Sequence, residues 1–214
     1  GSGTAGASTG AITVNNGAAL DLQNTLANAL TLNGGGTLET TSGTGIVNGL
    51  VTLNGGNAFA TGNGARLTVN GVIGDGASQG SLTVSGPGTV VLTGLNTYSG
   101  GTAVTGGTLQ GDAGSLHGAI GLASATTLVF EQAANGTFNG SISGAGAVTK
   151  QSSGTLTLNG TQSYGGGTTV TGGALQGNTA SLQGNIALAG GTGLVFDQAS
   201  NGTFNGTISG AGAV

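Results

Sequence analysis

The chain has no cysteine, methionine or tryptophan, a single proline, and only eight charged side chains among 214 residues. Each absence removes a class of chemistry. Without thiols there is no disulfide framework, no zinc site of the cysteine type and no thiol nucleophile. A thiol-free chain also suits passage across a membrane in the unfolded state, because no early disulfide can block it. Arg66 and Lys150 are the only cations apart from a proton on His117. A phosphate-binding surface needs a cluster of cations to release counterions, so nucleic acid is excluded as a partner. No run approaches the ~18 apolar residues of a membrane-spanning helix. No signal peptide opens the chain, so any targeting segment is expected outside it.

Helical patterning is missing too. No window carries apolar residues at a 3.6-residue period over a dozen positions without Gly, Thr or Asn interrupting. The stretch Gly17 to Leu32 contains good helix formers but alternates as LDLQ and LTLN. It reads as strand, with a short helix as the alternative.

What is present is glycine, at 50 positions, and short apolar bursts such as AITV, LTLN, RLTV, TLVF and TLTL. Disorder normally combines low hydrophobicity with high net charge. Here the net charge is −4 and the mean hydropathy slightly positive. Bursts separated by Gly, Asn, Ser and Thr predict many short strands joined by turns.

The second half repeats itself. Gly88–Val148 aligns without a gap on Gly154–Val214 at an offset of 66, with 40 of 61 pairs identical. A fixed period marks a repeat architecture. Val90/Leu156 and Leu92/Leu158 stay large and apolar while Val91 becomes Thr157, the alternation of a strand with one buried face. The predicted core adds Leu109/Leu175, Ile120/Ile186, Leu122/Leu188, Leu128/Leu194, Phe130/Phe196, Phe138/Phe204 and Ile142/Ile208. The tolerant pairs Asp112/Asn178, Ala113/Thr179, His117/Gln183 and Ala119/Asn185 predict a turn or short loop. With three strands per circuit, one unit holds three circuits of about 22 residues at the strand spacing of about 4.8 Å; two larger circuits also fit. Nine or ten circuits would make a rod about 45 Å long. Glycine and Asn-Gly pairs serve the sharp turns. Low charge avoids like-charge repulsion up the stack, where Thr and Asn can pair instead.

The run GVIGDGASQGSLTVSGPGTVVLTGLNTYSGGTAVTGGTLQ (Gly71 to Gln110) and the run from Gly140 to Gln176 share G-T-L-T-L-x-G-like elements, then Tyr98 or Tyr164, then G-G-T-x-V-x-G-G-x-L. These resemble the passenger-associated β-strand repeat of bacterial autotransporters. The resemblance covers Gly71 to Val214 well and earlier residues only in style. It implies an all-β, right-handed, single-stranded parallel β-helix, exported through the outer membrane by a C-terminal barrel. Val214 falls mid-repeat, so the chain is expected to be cut from a longer one. The expected organisation is diverged circuits over 1–87, one unit over 88–153 and a shortened second unit over 154–214.

Candidate chemistry is sparse. His117 has Gln183 as its counterpart and reads as a loop surface residue, not a general base. The acids Asp21, Glu39, Asp75, Asp112, Glu131 and Asp197 are far apart in sequence. On a three-circuit unit Glu131 and Asp197 would stand roughly 14 Å apart, too far for paired glycosidase carboxylates. Asp75 and Asp112 are single acids, short of the several oxygens calcium takes. The G-x-G-x-x-G match at Gly1 to Gly6 follows no strand, as a dinucleotide site would require. Asn135, Asn139, Asn159, Asn201 and Asn205 head N-G-[ST] triplets that read as turns before glycosylation sites. Tyr98 and Tyr164 read as packing groups rather than sugar-stacking platforms.

No catalytic, cofactor or metal residue is assigned. The reading is a non-enzymatic, extracellular stalk or adhesin rod on the bacterial surface. Its partners would be a host surface or glycan receptor, or other rods in self-association. A filamentous haemagglutinin-type adhesin would share the coil but lack the NTYSGGTAV signature. A β-helix polysaccharide-active enzyme would show a clustered acid/base set, and an ice-binding solenoid a regular Thr-x-Thr row.

Overall fold

A computed structural model describes residues 10–214. Among these residues twenty-six short strands, numbered β1–β26 in chain order, fall on three faces of a coil, and every strand pair is parallel. Among the described residues there is no helix. Face 1 carries β1 (Ile12–Val14), β4 (Leu30–Asn33), β7 (Val51–Asn54) and β10 (Ile73–Asp75), and farther along the rod β17 (Gly136–Phe138), β20 (Thr155–Leu158), β23 (Ala174–Gly177) and β25 (Gly193–Phe196). Face 2 carries β2 (Ala19–Asp21), β5 (Thr37–Thr40), β8 (Gly56–Thr61), β11 (Ser81–Ser85), β13 (Thr102–Val104), β15 (Ala119–Leu122), β18 (Ser141–Gly144) and β21 (Ser163–Tyr164). Face 3 is the longest ladder: β3 (Thr25–Leu26), β6 (Thr44–Val47), β9 (Arg66–Val69), β12 (Thr89–Leu92), β14 (Thr108–Gly111), β16 (Thr127–Glu131), β19 (Ala147–Gln151), β22 (Thr168–Val170), β24 (Ile186–Leu188) and β26 (Ile208–Gly210). Ten strands on one face mean ten circuits. Parallel strands joined this way wind right-handed, giving the all-β parallel β-helix the sequence predicts. The Gly17 to Leu32 stretch forms β2, β3 and the start of β4.

Alternation explains the elements. In LTLN, TLET, VTLN and TLTL every second side chain is buried. Leu30, Leu32, Leu53, Leu67, Val90, Leu109, Leu128 and Leu156 are wholly buried and stack into the core. Burying each such side chain contributes about 1.5–3 kcal/mol, which offsets the entropy cost of about 0.5–1 kcal/mol for an ordered glycine relative to alanine. Of the predicted core, Phe138 and Ile142 are buried, whereas Phe196 and Phe204 are half-buried and Ile208 is exposed, because they lie in the last circuit of the described residues. Val91, read as facing outward, is also buried.

Outward positions stack as well. Thr13, Thr31 and Thr52 are register partners, and the row breaks at Gly74. At the end of the same strands Asn33 Nδ2 donates to Asn15 Oδ1 (2.8 Å) and Asn54 Nδ2 to Asn33 Oδ1 (3.0 Å). A second ladder runs from Asn48 through Asn70 to Thr93. Neutral amides can donate and accept in sequence, which like charges at one strand spacing could not do.

The repeat and the coil are out of phase. From Thr83 on face 2, the successive partners Ala103, Gly121 and Ser143 complete three circuits. Thr149, the repeat counterpart of Thr83, lies one strand beyond Ser143 and belongs to face 3. Likewise β12 on face 3 corresponds to β20 on face 1, and β13 on face 2 to β22 on face 3. A unit is therefore three circuits plus one face, not the three circuits expected. Circuits are also unequal in length. Thr13 stacks on Thr31 but Ala58 stacks on the more distant Thr83, which hides the circuit period from the sequence.

Candidate interaction surface

The wall is interrupted once in each copy, at the loop the tolerant pairs marked. Asp112 Oδ1 accepts the N–H groups of Gly114 (2.9 Å) and Ser115 (2.7 Å), and Leu116 N–H reaches Asp112 O (2.9 Å). Asn178 does the same for Ala180 (2.9 Å), Ser181 (3.0 Å) and Leu182 (2.8 Å). Asp112 is thus a loop cap, a role that Asn fills equally well. Each loop takes a strand's place. The face 1 ladder is broken between β10 and β17, and the face 2 ladder stops at β21.

Buried amides bridge the gaps. Asn96 Oδ1 accepts Ile73 N–H (2.8 Å) and its Nδ2 donates to Ser115 O (2.7 Å). Its counterpart Gln162 accepts Ile142 N–H (2.5 Å) and donates to Gly140 O (3.1 Å). Gln132 Oε1 accepts Ala113 N–H (2.9 Å), as Gln198, exposed in the last described circuit, accepts Thr179 N–H (2.8 Å). An unpaired buried backbone group costs about 1–3 kcal/mol, so these side chains finish what the ladder leaves open.

Beside each loop lies a cleft of about 240 Å³. One is lined by Leu116, His117, Thr137, Phe138 and Asn139. The other is lined by the same positions of the second copy, Leu182, Gln183, Thr203, Phe204 and Asn205. No Lys, Arg, Asp or Glu lines either. His117 is exposed in its loop, with its ring edge-on to Tyr98 at 6.4 Å.

Tyr98 and Tyr164 are inside the coil, their hydroxyls 2.6 and 2.7 Å from Thr102 and Thr168. Burial pushes both phenols up from their ordinary value, against the opposing pull of the threonine bond. Sequence reasoning missed Lys150, a wholly buried cation. Its Nζ donates to the carbonyls of Gln151 (3.0 Å), Ser152 (2.7 Å) and Gly172 (2.8 Å). Desolvation holds its pKa below the usual lysine value, partly countered by Glu131. The signal is there in the strand parity: Val148 lies inside, so a residue two further along the strand does too.

The acids do not converge. Asp75 accepts from Ser99 Oγ (2.6 Å), Gly80 N (2.7 Å) and Ser99 N (3.1 Å), which holds its carboxyl below the usual range, the Ser99 hydroxyl foremost. Asp21 is lowered chiefly by the Thr41 hydroxyl. Glu131 takes bonds from Gln110, Gln151 and Ser152. Glu131 ends β16 on face 3 while Asp197 follows β25 on face 1, so the stacked separation expected from a three-circuit unit does not arise. Among the described residues no three metal-ligating side chains cluster. The match at Gly1 to Gly6 lies outside the described residues. Asn135, Asn139, Asn159, Asn201 and Asn205 are all exposed, with Asn159 Nδ2 donating to Asn139 Oδ1 (3.0 Å).

The passenger-associated-transport-repeat family matches residues 82–110 and 148–176, two segments at the same offset as the internal repeat. The chain is 34% identical over 177 residues to the adhesin BmaC autotransporter of Brucella suis biovar 1 (strain 1330). That alignment covers 69% of this chain and 5% of the relative, so the chain spans a small part of the protein it resembles. No solved structure matches. The parallel coil, the recurring transport repeat and the adhesin relative together identify the chain as an autotransporter passenger β-helix with passenger-associated repeats.

Proposed function

We propose that this segment serves as a length of adhesive rod on the bacterial surface, in a protein whose C-terminal barrel anchors it in the outer membrane. The carrying observation is ten parallel circuits with no converging acid/base set among the described residues, in a chain akin to a protein named an adhesin. Its work is structural and adhesive rather than catalytic. The rod holds its surface away from the membrane, and its neutral amide and hydroxyl rows contact a host surface or a neighbouring rod. The diverged circuits before residue 88 and the units over 88–153 and 154–214 act as one stack, each circuit templating the next. The test is surface display of the intact passenger with and without residues 88–214. Deletion is expected to reduce attachment to host cells and settling of the cells. Unchanged attachment and settling would overturn the reading.

A further inference from the structure

We infer that the two equivalent clefts are binding sites for single neutral sugar residues, one per repeat. The inference rests on the adhesive reading and names the ligand chemistry of that surface. The clefts recur at eight equivalent positions with the same volume of about 240 Å³, although Ala113 becomes Thr179 and His117 becomes Gln183. His117 and Gln183 can both donate and accept hydrogen bonds without charge. Pockets for drug-sized ligands run from about 300 Å³ upward, so these suit one pyranose ring.

The lining fits the two characters of a sugar. Leu116 and Phe138, both buried, close the bottom of the first cleft beside half-buried Ala113, and buried Leu182 with half-buried Phe204 that of the second, an apolar base for the C–H face of the ring. The Thr137 hydroxyl, the Asn139 amide and His117 line the polar side, as do Thr203, Asn205 and Gln183. Asn139 Oδ1 accepts from Asn159 (3.0 Å), which turns the Asn139 amide N–H groups away from that neighbour. In the first cleft β17 is the outermost strand of its ladder, so its edge toward the cleft pairs with no strand and can bond ring hydroxyls. No charged side chain lines either cleft, so carboxylated, sulfated or phosphorylated sugars would lose water there without gaining a counter-charge. The two mouths stand about 16 Å apart along the axis at the strand spacing and about a third of a turn apart in direction. Each therefore takes its own sugar.

The test is amide shift mapping of the whole chain. Glucose, galactose, mannose and N-acetylglucosamine would be titrated separately, with glucose 6-phosphate and N-acetylneuraminic acid for comparison. At least one neutral sugar is expected to shift the amides of Thr137 and Asn139 together with those of Thr203 and Asn205. Asn139→Leu should abolish the first set and leave the second, and Asn205→Leu the reverse. Thr137→Val and Thr203→Val serve if the leucine variants lose dispersed spectra. No shift with any neutral sugar, shifts confined elsewhere, or shifts only with the anionic sugars would each overturn the inference. The failures of the two readings are distinguishable: a parent chain that shows no neutral-sugar shift yet still supports attachment when displayed overturns the clefts and leaves the adhesive rod, whereas sugar shifts in a chain whose deletion leaves attachment unchanged overturn the adhesive rod alone.

Discussion

Lys150 Nζ lies 2.7 Å from the carbonyl oxygen of Ser152, wholly inside the coil, at the position Val84 holds in the preceding copy. Ser152 has a φ of 67°, where the earlier copy has Gly86 with a φ of 82°. The ammonium thus caps a corner that L-residues rarely adopt, stacked between Phe130 and Val170.

Replacing this lysine should help the fold. Burying an ammonium costs several kcal/mol before its bonds are counted, and the uncharged Val84 fills the equivalent buried place one repeat earlier. Lys150→Met is expected to match or exceed the parent in denaturant unfolding. Lys150→Ala should lose about 2–4 kcal/mol through the cavity it leaves. The lowered folded pKa means the unfolded chain binds more protons between that value and 10.5. Parental stability should therefore rise with pH through that window. A Lys150→Met protein should lack that component, and an identical pH slope in both would contradict the desolvation account.

The buried phenols act in the opposite sense. Their folded pKa values are raised above 10.0. Their contribution is whole below the unfolded pKa and is lost as pH rises through the folded one. Ultraviolet titration should show both tyrosines ionising only above the free phenol's range. Tyr164→Phe should cost about 1 kcal/mol for the lost Thr168 bond, and ordinary phenol titration in the folded chain would refute their burial.

Glycine tolerance should depend on stacking. A Cβ at Gly71 would collide with the carbonyl oxygen of Gly49 one circuit below, whereas a Cβ at Gly121 meets nothing within 4 Å. Gly71→Ala is expected to lower the unfolding midpoint clearly, and Gly121→Ala to be neutral or stabilising by about 0.4–1 kcal/mol. Equal effects at the two sites would mean that the corner spacing is wrong.

These sites divide what the sequence shows from what it hides. Period-two alternation shows which side of LTLN or TLTL is buried, and the comparison of copies locates the loop from Asp112 to His117. Phase is hidden because circuits of unequal length keep no fixed stride, so the repeat offset alone cannot say how many faces it spans. The clefts are hidden with it, since they form between neighbouring circuits rather than within one. Asn96 and Gln162 resemble turn residues, because an amide replacing a backbone ladder bond leaves no periodic trace.

The phase shift can be measured directly, since a cysteine-free chain accepts labels only where they are placed. Thr83, Ser143 and Thr149 all point outward. Thr83 and Ser143 share face 2 and stand three steps apart in its ladder. Three steps amount to about 14 Å at the strand spacing. Thr149 sits on face 3, so its separation from Thr83 combines the axial rise with the width of the coil. Spin labels on Thr83→Cys with Ser143→Cys should give the shorter distance, and on Thr83→Cys with Thr149→Cys the longer. The reverse order would restore a unit of three whole circuits. The two clefts would then open on one side of the rod, and a single extended glycan could bridge them, which a third of a turn forbids.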